Sequence, residues 1–135
     1  MTQGIINNNM RKILFRAKHV KDGSVLSNEW VYGDLCHFAD GTPYIRQQET
    51  GSNFEIVPET IGQLTGMKDI KGNAIFEGDI LRDIDGGSRC VGYDEETGKF
   101  IEVYPKVETA FDTVILGFLE VVGNIHDNPE LVGLK

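Results

Sequence analysis

Ile13, Phe15 and Ala17 alternate with Leu14, Arg16 and Lys18, a period of two that turns one apolar face inward and predicts a half-buried strand. After Asp22-Gly23-Ser24 the chain resumes with Trp30-Val31-Tyr32-Gly33-Asp34-Leu35, whose aromatic and β-branched groups suit a pleated surface. Asp40-Gly41 turns it toward Tyr44-Ile45-Arg46, and Thr50-Gly51-Ser52-Asn53 turns it again into Phe54-Glu55-Ile56-Val57. These runs predict a small antiparallel meander. Pro58 ends it, because proline donates no ladder hydrogen bond and holds Val57 extended.

The second half repeats the pattern. Gly72-Asn73 predicts a tight turn before Ala74-Ile75-Phe76. Asp85-Gly86-Gly87-Ser88 and Glu95-Glu96-Thr97-Gly98 separate strands near 79–84, 89–94 and 99–104, a spacing that suggests a small barrel. From Val107 to Phe118 a helical stripe and the strand-like Thr113-Val114-Ile115-Leu116 compete, and the expectation is irregular chain entering a strand. A last strand carries Leu119, Val121, Gly123 and Ile125 on one face and Glu120, Val122, Asn124 and His126 on the other; it is expected to close the sheet. Asn128-Pro129 reads as a helix cap followed by proline at the first helical position, with room for one turn. Residues 1–9, with three consecutive asparagines, show no periodicity and read as an extension. The expected division is extension 1–9, an N-terminal β subdomain 10–66 and a C-terminal β subdomain 67–135.

With 135 residues, 40% apolar and 25% charged, the chain fits one globular domain or two small subdomains sharing a core. Twenty-one acids against thirteen lysines and arginines leave a charge of -8, which repels phosphate backbones and anionic membranes unless the bases gather on one face. The bases that could do so are Arg11, Lys12, Arg16, Lys18 and Lys21. Ile13-Leu14-Phe15 is too short for the apolar core of an export signal. Cys36 and Cys90 stand in no C-x-x-C context, which favours reduced, buried thiols.

Candidate chemistry is sparse. Asp79, Asp83 and Asp85 resemble a calcium loop, but counting from Asp83 the sixth position is Ser88, not the glycine such a loop requires. No G-x-G-x-x-G or Walker motif occurs. His19, His37 and His126 share no ligand spacing, and Cys36-His37, as strand neighbours, face opposite sides. Neither a metal nor a cofactor is expected, and no residue is assigned as catalytic. Glu77-Gly78-Asp79 reads as a turn in which glycine permits the bend and Asp79 accepts local amides, with capture of a cationic partner as the competing reading. Trp30 and Tyr32, two apart on one strand face, are either core or a stacking platform. An enzyme would need Glu77, Asp79 and His126 to converge in a pocket.

Taken together, the chain resembles the YopX family of phage and prophage proteins. The resemblance is carried by residues 11–17 (Arg11 to Ala17), Trp30-Val31-Tyr32-Gly33-Asp34-Leu35, the run from Pro58 to Asp69, Ile75-Phe76-Glu77-Gly78-Asp79-Ile80, and the run from Val122 to Leu131. It covers Met10 to Leu131, while the extension before Met10 departs from the family's usual start and the stretch between Tyr104 and Leu119 matches no motif. The resemblance implies a mostly β protein with little helix, its N-terminal meander followed by an SH3-like β-barrel. It implies no reaction, cofactor or catalytic residue. Phage origin implies the bacterial host cytoplasm, in keeping with unpaired cysteines. The expected activity is that of a non-enzymatic accessory or binding protein. An unknown protein partner is favoured over nucleic acid, no membrane is involved, and self-association is expected. Weak candidate binding residues are Trp30, Tyr32, Glu77, Asp79, Asn124 and His126.

Overall fold

The computed structural model describes residues 11–21, 29–83, 86–104, 109–110 and 119–133. The extension 1–9, the Asp22-Gly23-Ser24 turn and most of the stretch 107–118 lie outside them.

Among the described residues eleven strands form two antiparallel sheets. In the first, β1 (Phe15–Lys18), β2 (Trp30–His37), β3 (Pro43–Arg46) and β4 (Asn53–Glu55) make the expected meander, and β5 (Gly62–Lys68) and β6 (Ala74–Phe76) extend it in the order β4-β3-β2-β1-β5-β6. An isolated bridge between His19 and Ile56 brings the chain after β4 back against the end of β1, so this sheet curls. The second sheet has the order β10-β9-β8-β7-β11, from β7 (Asp79–Arg82), β8 (Ser88–Asp94), β9 (Lys99–Tyr104), β10 (Thr109–Ala110) and β11 (Glu120–Asn124). It is barrel-like but open. Among the described residues β11 pairs only with β7, where the alternation around Val121 had suggested closure of the sheet. The β7–β11 pairing carries a register shift between Val121 and Gly123, a local break in the period of two. Helical structure among the described residues is limited to two 3-10 turns, Pro58–Thr60 and Pro129–Val132. Asn128 does not cap the second; its Oδ1 accepts the Asn124 N–H at 3.2 Å instead. Among the described residues no helix is long and apolar enough to cross a membrane.

Each half holds an aliphatic core. Ala17, Val31, Ile45 and Ile56 form one, with Phe15 and Phe54 packed against it. Ile75, Leu81, Val91 and Leu119 form the other, with Met67 and Val121 alongside. Ile45, Ile75, Leu81 and Leu119 are wholly excluded from solvent, the packing that alternating patterns predict. Arg16, on the nominally polar face of β1, is also buried, at 7% exposure. A face expected to meet water therefore meets the second half of the protein.

Candidate functional site

Register places the first group of side chains. β1 and β2 pair Arg16 with Tyr32 and Lys18 with Trp30, so these four share one face of the sheet. Over that face comes the turn linking β6 to β7, Glu77-Gly78. Gly78 has φ +93°, a left-handed conformation that costs a Cβ-bearing residue strain. Its N–H donates to Val91 O and its carbonyl accepts the Ile125 N–H, both at 2.8 Å. Gly62 of β5 makes the approach possible, because a Cβ there would lie 2.5 Å from Glu77 O.

Arg16 is the centre of the resulting arrangement. Its guanidinium lies 4.7 Å from the centre of the Trp30 ring and 4.8 Å from that of Phe76, a cation held between two aromatic faces. Its Nη2 donates to Asp79 Oδ1 at 2.7 Å, and Asp79 Oδ2 accepts the Phe76 N–H, also at 2.7 Å. Burial raises the Asp79 carboxyl, and the Arg16 charge and the Phe76 amide oppose that rise. We take this pair as ionised at neutral pH, since an isolated neutral acid would leave the buried guanidinium uncompensated. Arg16 Nε has no hydrogen-bond partner among the described residues.

A second charged knot lies beside the first. Asp127 pairs with Lys18 through Oδ1, while its Oδ2 accepts Trp30 Nε1–H at 2.9 Å and Asn124 Nδ2–H at 3.0 Å. Burial alone would raise this carboxyl, yet the hydrogen bonds from Lys18, Trp30 and Asn124 outweigh it and hold Asp127 down at about 2. Asn124 Oδ1 in turn accepts the His126 and Asp127 amides. The His126 ring sits 5.9 Å from Trp30. Burial, then the positive charges of Arg16 and Lys18, lower its pKa against the pull of Asp127.

Glu77 and His126 both line an open cavity of about 220 Å³ with Glu59, Gly78 and Cys90. Burial raises Glu77, opposed by the Gln63 N–H at 3.3 Å. Burial, aided by the negative charges of Asp79 and Glu77, pushes the Cys90 thiol up to about 11, so it is no nucleophile at neutral pH. Among the described residues no three metal-ligating side chains gather.

All six residues singled out in the sequence thus come to one seam between the two halves. Tyr32 contributes from its edge, 43% exposed, with its ring 5.6 Å from Phe76. The turn reading of Glu77-Gly78-Asp79 holds locally and omits the larger fact, the pair with Arg16. The bases on which the nucleic-acid alternative would rest do not form an external cluster as a set, because Arg16 and Lys18 are turned inward and neutralised by Asp79 and Asp127. Sequence reasoning missed Arg16, Lys18, Phe76 and Asp127 as members of the site. An arginine between apolar neighbours in a strand was the one local signal; its partner stands 63 positions away.

The sequence model of the family described as "YopX protein" matches residues 14–133. The fold is similar to the crystal structure of protein EF1440 from Enterococcus faecalis, with a TM-score of 0.54 and 25% identity over 91% of this chain and 99% of that one. No curated protein matches the chain.

Proposed function

The chain belongs to the YopX family, and from that premise we propose that it is a non-enzymatic accessory protein that binds another protein. We read it as encoded by a phage or prophage and acting in the host cytoplasm. One observation carries this reading: the four charged residues at the centre of the site are consumed in holding the two halves together. Arg16, Lys18, Asp79 and Asp127 neutralise one another at the seam, which leaves a scaffold whose surfaces are free for contact. The nucleic-acid alternative loses two of the five bases it relied on, and the net charge of -8 opposes phosphate contacts. Capture from host lysate on the immobilised chain, read by mass spectrometry, is expected to return a specific protein partner. Binding of labelled single- or double-stranded DNA at low salt, with no such partner, would overturn the reading.

A second reading, an acid–base enzyme, is favoured by a specific observation. Glu77 and His126 line one cavity, the first shifted up and the second shifted down, the directions that bring a carboxyl and an imidazole closer together in pKa as an acid–base pair. Turnover of ester, phosphate or glycoside substrates that disappears in a folded Glu77→Gln variant would establish it. Equal background rates for the two chains would leave the binding reading standing.

A further inference from the structure

Two open cavities meet at Glu59. One, of about 580 Å³, is walled by Pro43, Ile56 and Pro58 with Glu55 and Glu59 at its rim. The other is the cavity of about 220 Å³ already described, which adds Ile61, Val91 and Ile125 with Glu59 and Glu77. The 3-10 turn at Pro58–Thr60 separates them; its prolyl ring and the extended backbone on either side keep the wall stiff. The lining is thus apolar, and its charged members are three carboxylates. Among the described residues no lysine or arginine lines either cavity. Among the described residues neither Glu55 nor Glu59 forms an ion pair, and both are exposed. The seam behind this wall explains the asymmetry. Arg16 and Lys18 are drawn inward to Asp79 and Asp127, so the nearby cations do not reach the groove, and His126 is held neutral by burial beside them.

We propose that this groove, running from Pro43 past Glu59 to Ile125, docks an extended segment of a partner protein in which lysine or arginine alternates with apolar residues. Alternation suits it because an extended chain sends successive side chains to opposite sides. Apolar members settle against Pro43, Pro58, Ile61 and Ile125 while the cations meet Glu55, Glu59 and Glu77. Charge complementarity selects the occupant. A phosphate backbone or an acidic peptide meets the same three carboxylates as repulsion. The inference rests on the protein-binding reading above and narrows it to one surface and one chemistry.

The probe is a fluorescent peptide of alternating arginine and valine, with a matched peptide of alternating glutamate and valine as control, titrated into the full chain and followed by anisotropy. Binding of the basic peptide alone is expected, weakening as salt rises. Amide shift perturbations are expected at Glu55, Glu59, Ile61 and Val91. The double substitution Glu55→Lys/Glu59→Lys, at two exposed positions, is expected to weaken binding at least about tenfold, with the thermal transition unchanged. A basic peptide that fails to bind, that binds elsewhere, or that is indifferent to the double substitution overturns the inference. The lysate experiment separates the two claims. A partner retained equally by wild type and the double variant rejects the groove and keeps the binding reading, whereas no partner and no peptide binding rejects both.

Discussion

The aliphatic cores and the seam between them are built on opposite principles. Around Ile45 and around Leu81 the interior is apolar, held by area removed from water and indifferent to which aliphatic neighbour fills it, provided volume is kept. At the seam the interior is charged. Arg16 and Asp79 lie within it at side-chain exposures of 9% and 4%, and their desolvation is compensated by each other, by the Phe76 amide, by the Glu77 carbonyl and by two aromatic faces. The cores tolerate approximation. The seam does not, so it fixes how the halves meet.

The largest expected effect comes from breaking one side of the seam. Asp79→Ala strands a buried guanidinium and should cost about 3–5 kcal/mol in urea unfolding. The single tryptophan, Trp30, stacks on that guanidinium and reports the change directly in its fluorescence. In the core, Ile45→Val removes one methylene and should cost about 0.5–1.5 kcal/mol with the Trp30 spectrum unchanged. A core substitution that cost more than the Asp79 one would reverse the comparison.

Acid should act on the seam's titratable groups in opposing directions. Asp127 is held at about 2, below its ordinary 3.8, so its contribution is complete above the ordinary value and is lost as pH falls toward 2. His126 is shifted below its ordinary 6.5. The unfolded chain then binds the proton more readily, and stability falls as pH drops through that value. Glu77 and Asp79 are shifted upward and work the other way. The separate contributions are therefore read by difference: Asp127→Asn should flatten the acid limb of the stability curve, and His126→Gln the part just below neutrality. The smallest effect is expected at Lys71, whose pair with Glu120 spans 2.6 Å between exposed groups. Lys71→Ala should leave the urea unfolding midpoint almost unchanged.

The contrast also explains what could be read from the chain. Phe15, Ala17, Val31 and Ile45 announce their strands because burial on one face imposes a period of two on near neighbours. β7, β8 and β9 were legible for the same reason, with Gly98 (φ +68°) turning the chain between the last two. The six candidate residues were found as types, yet not as a site. What joins them is Arg16 to Asp79 and Trp30 to Asp127, separations of 63 and 97 residues, and periodicity carries no information about such pairs. Arg16 and Lys18 illustrate the loss most plainly. Alternation assigns them correctly to the polar face of β1, and only the fold shows that this face is covered. β11 was legible as a strand, whereas its register shift at Val121/Gly123 was not, since the sequence there still alternates.

The central claim, that a mutually dependent ion pair joins the two halves, is tested most directly by a double-mutant cycle on Arg16→Met and Asp79→Leu measured by urea unfolding. If the pair is mutually dependent, the double variant loses less stability than Asp79→Leu alone, because no uncompensated charge remains in the seam. Additive losses from the two single substitutions would contradict the account.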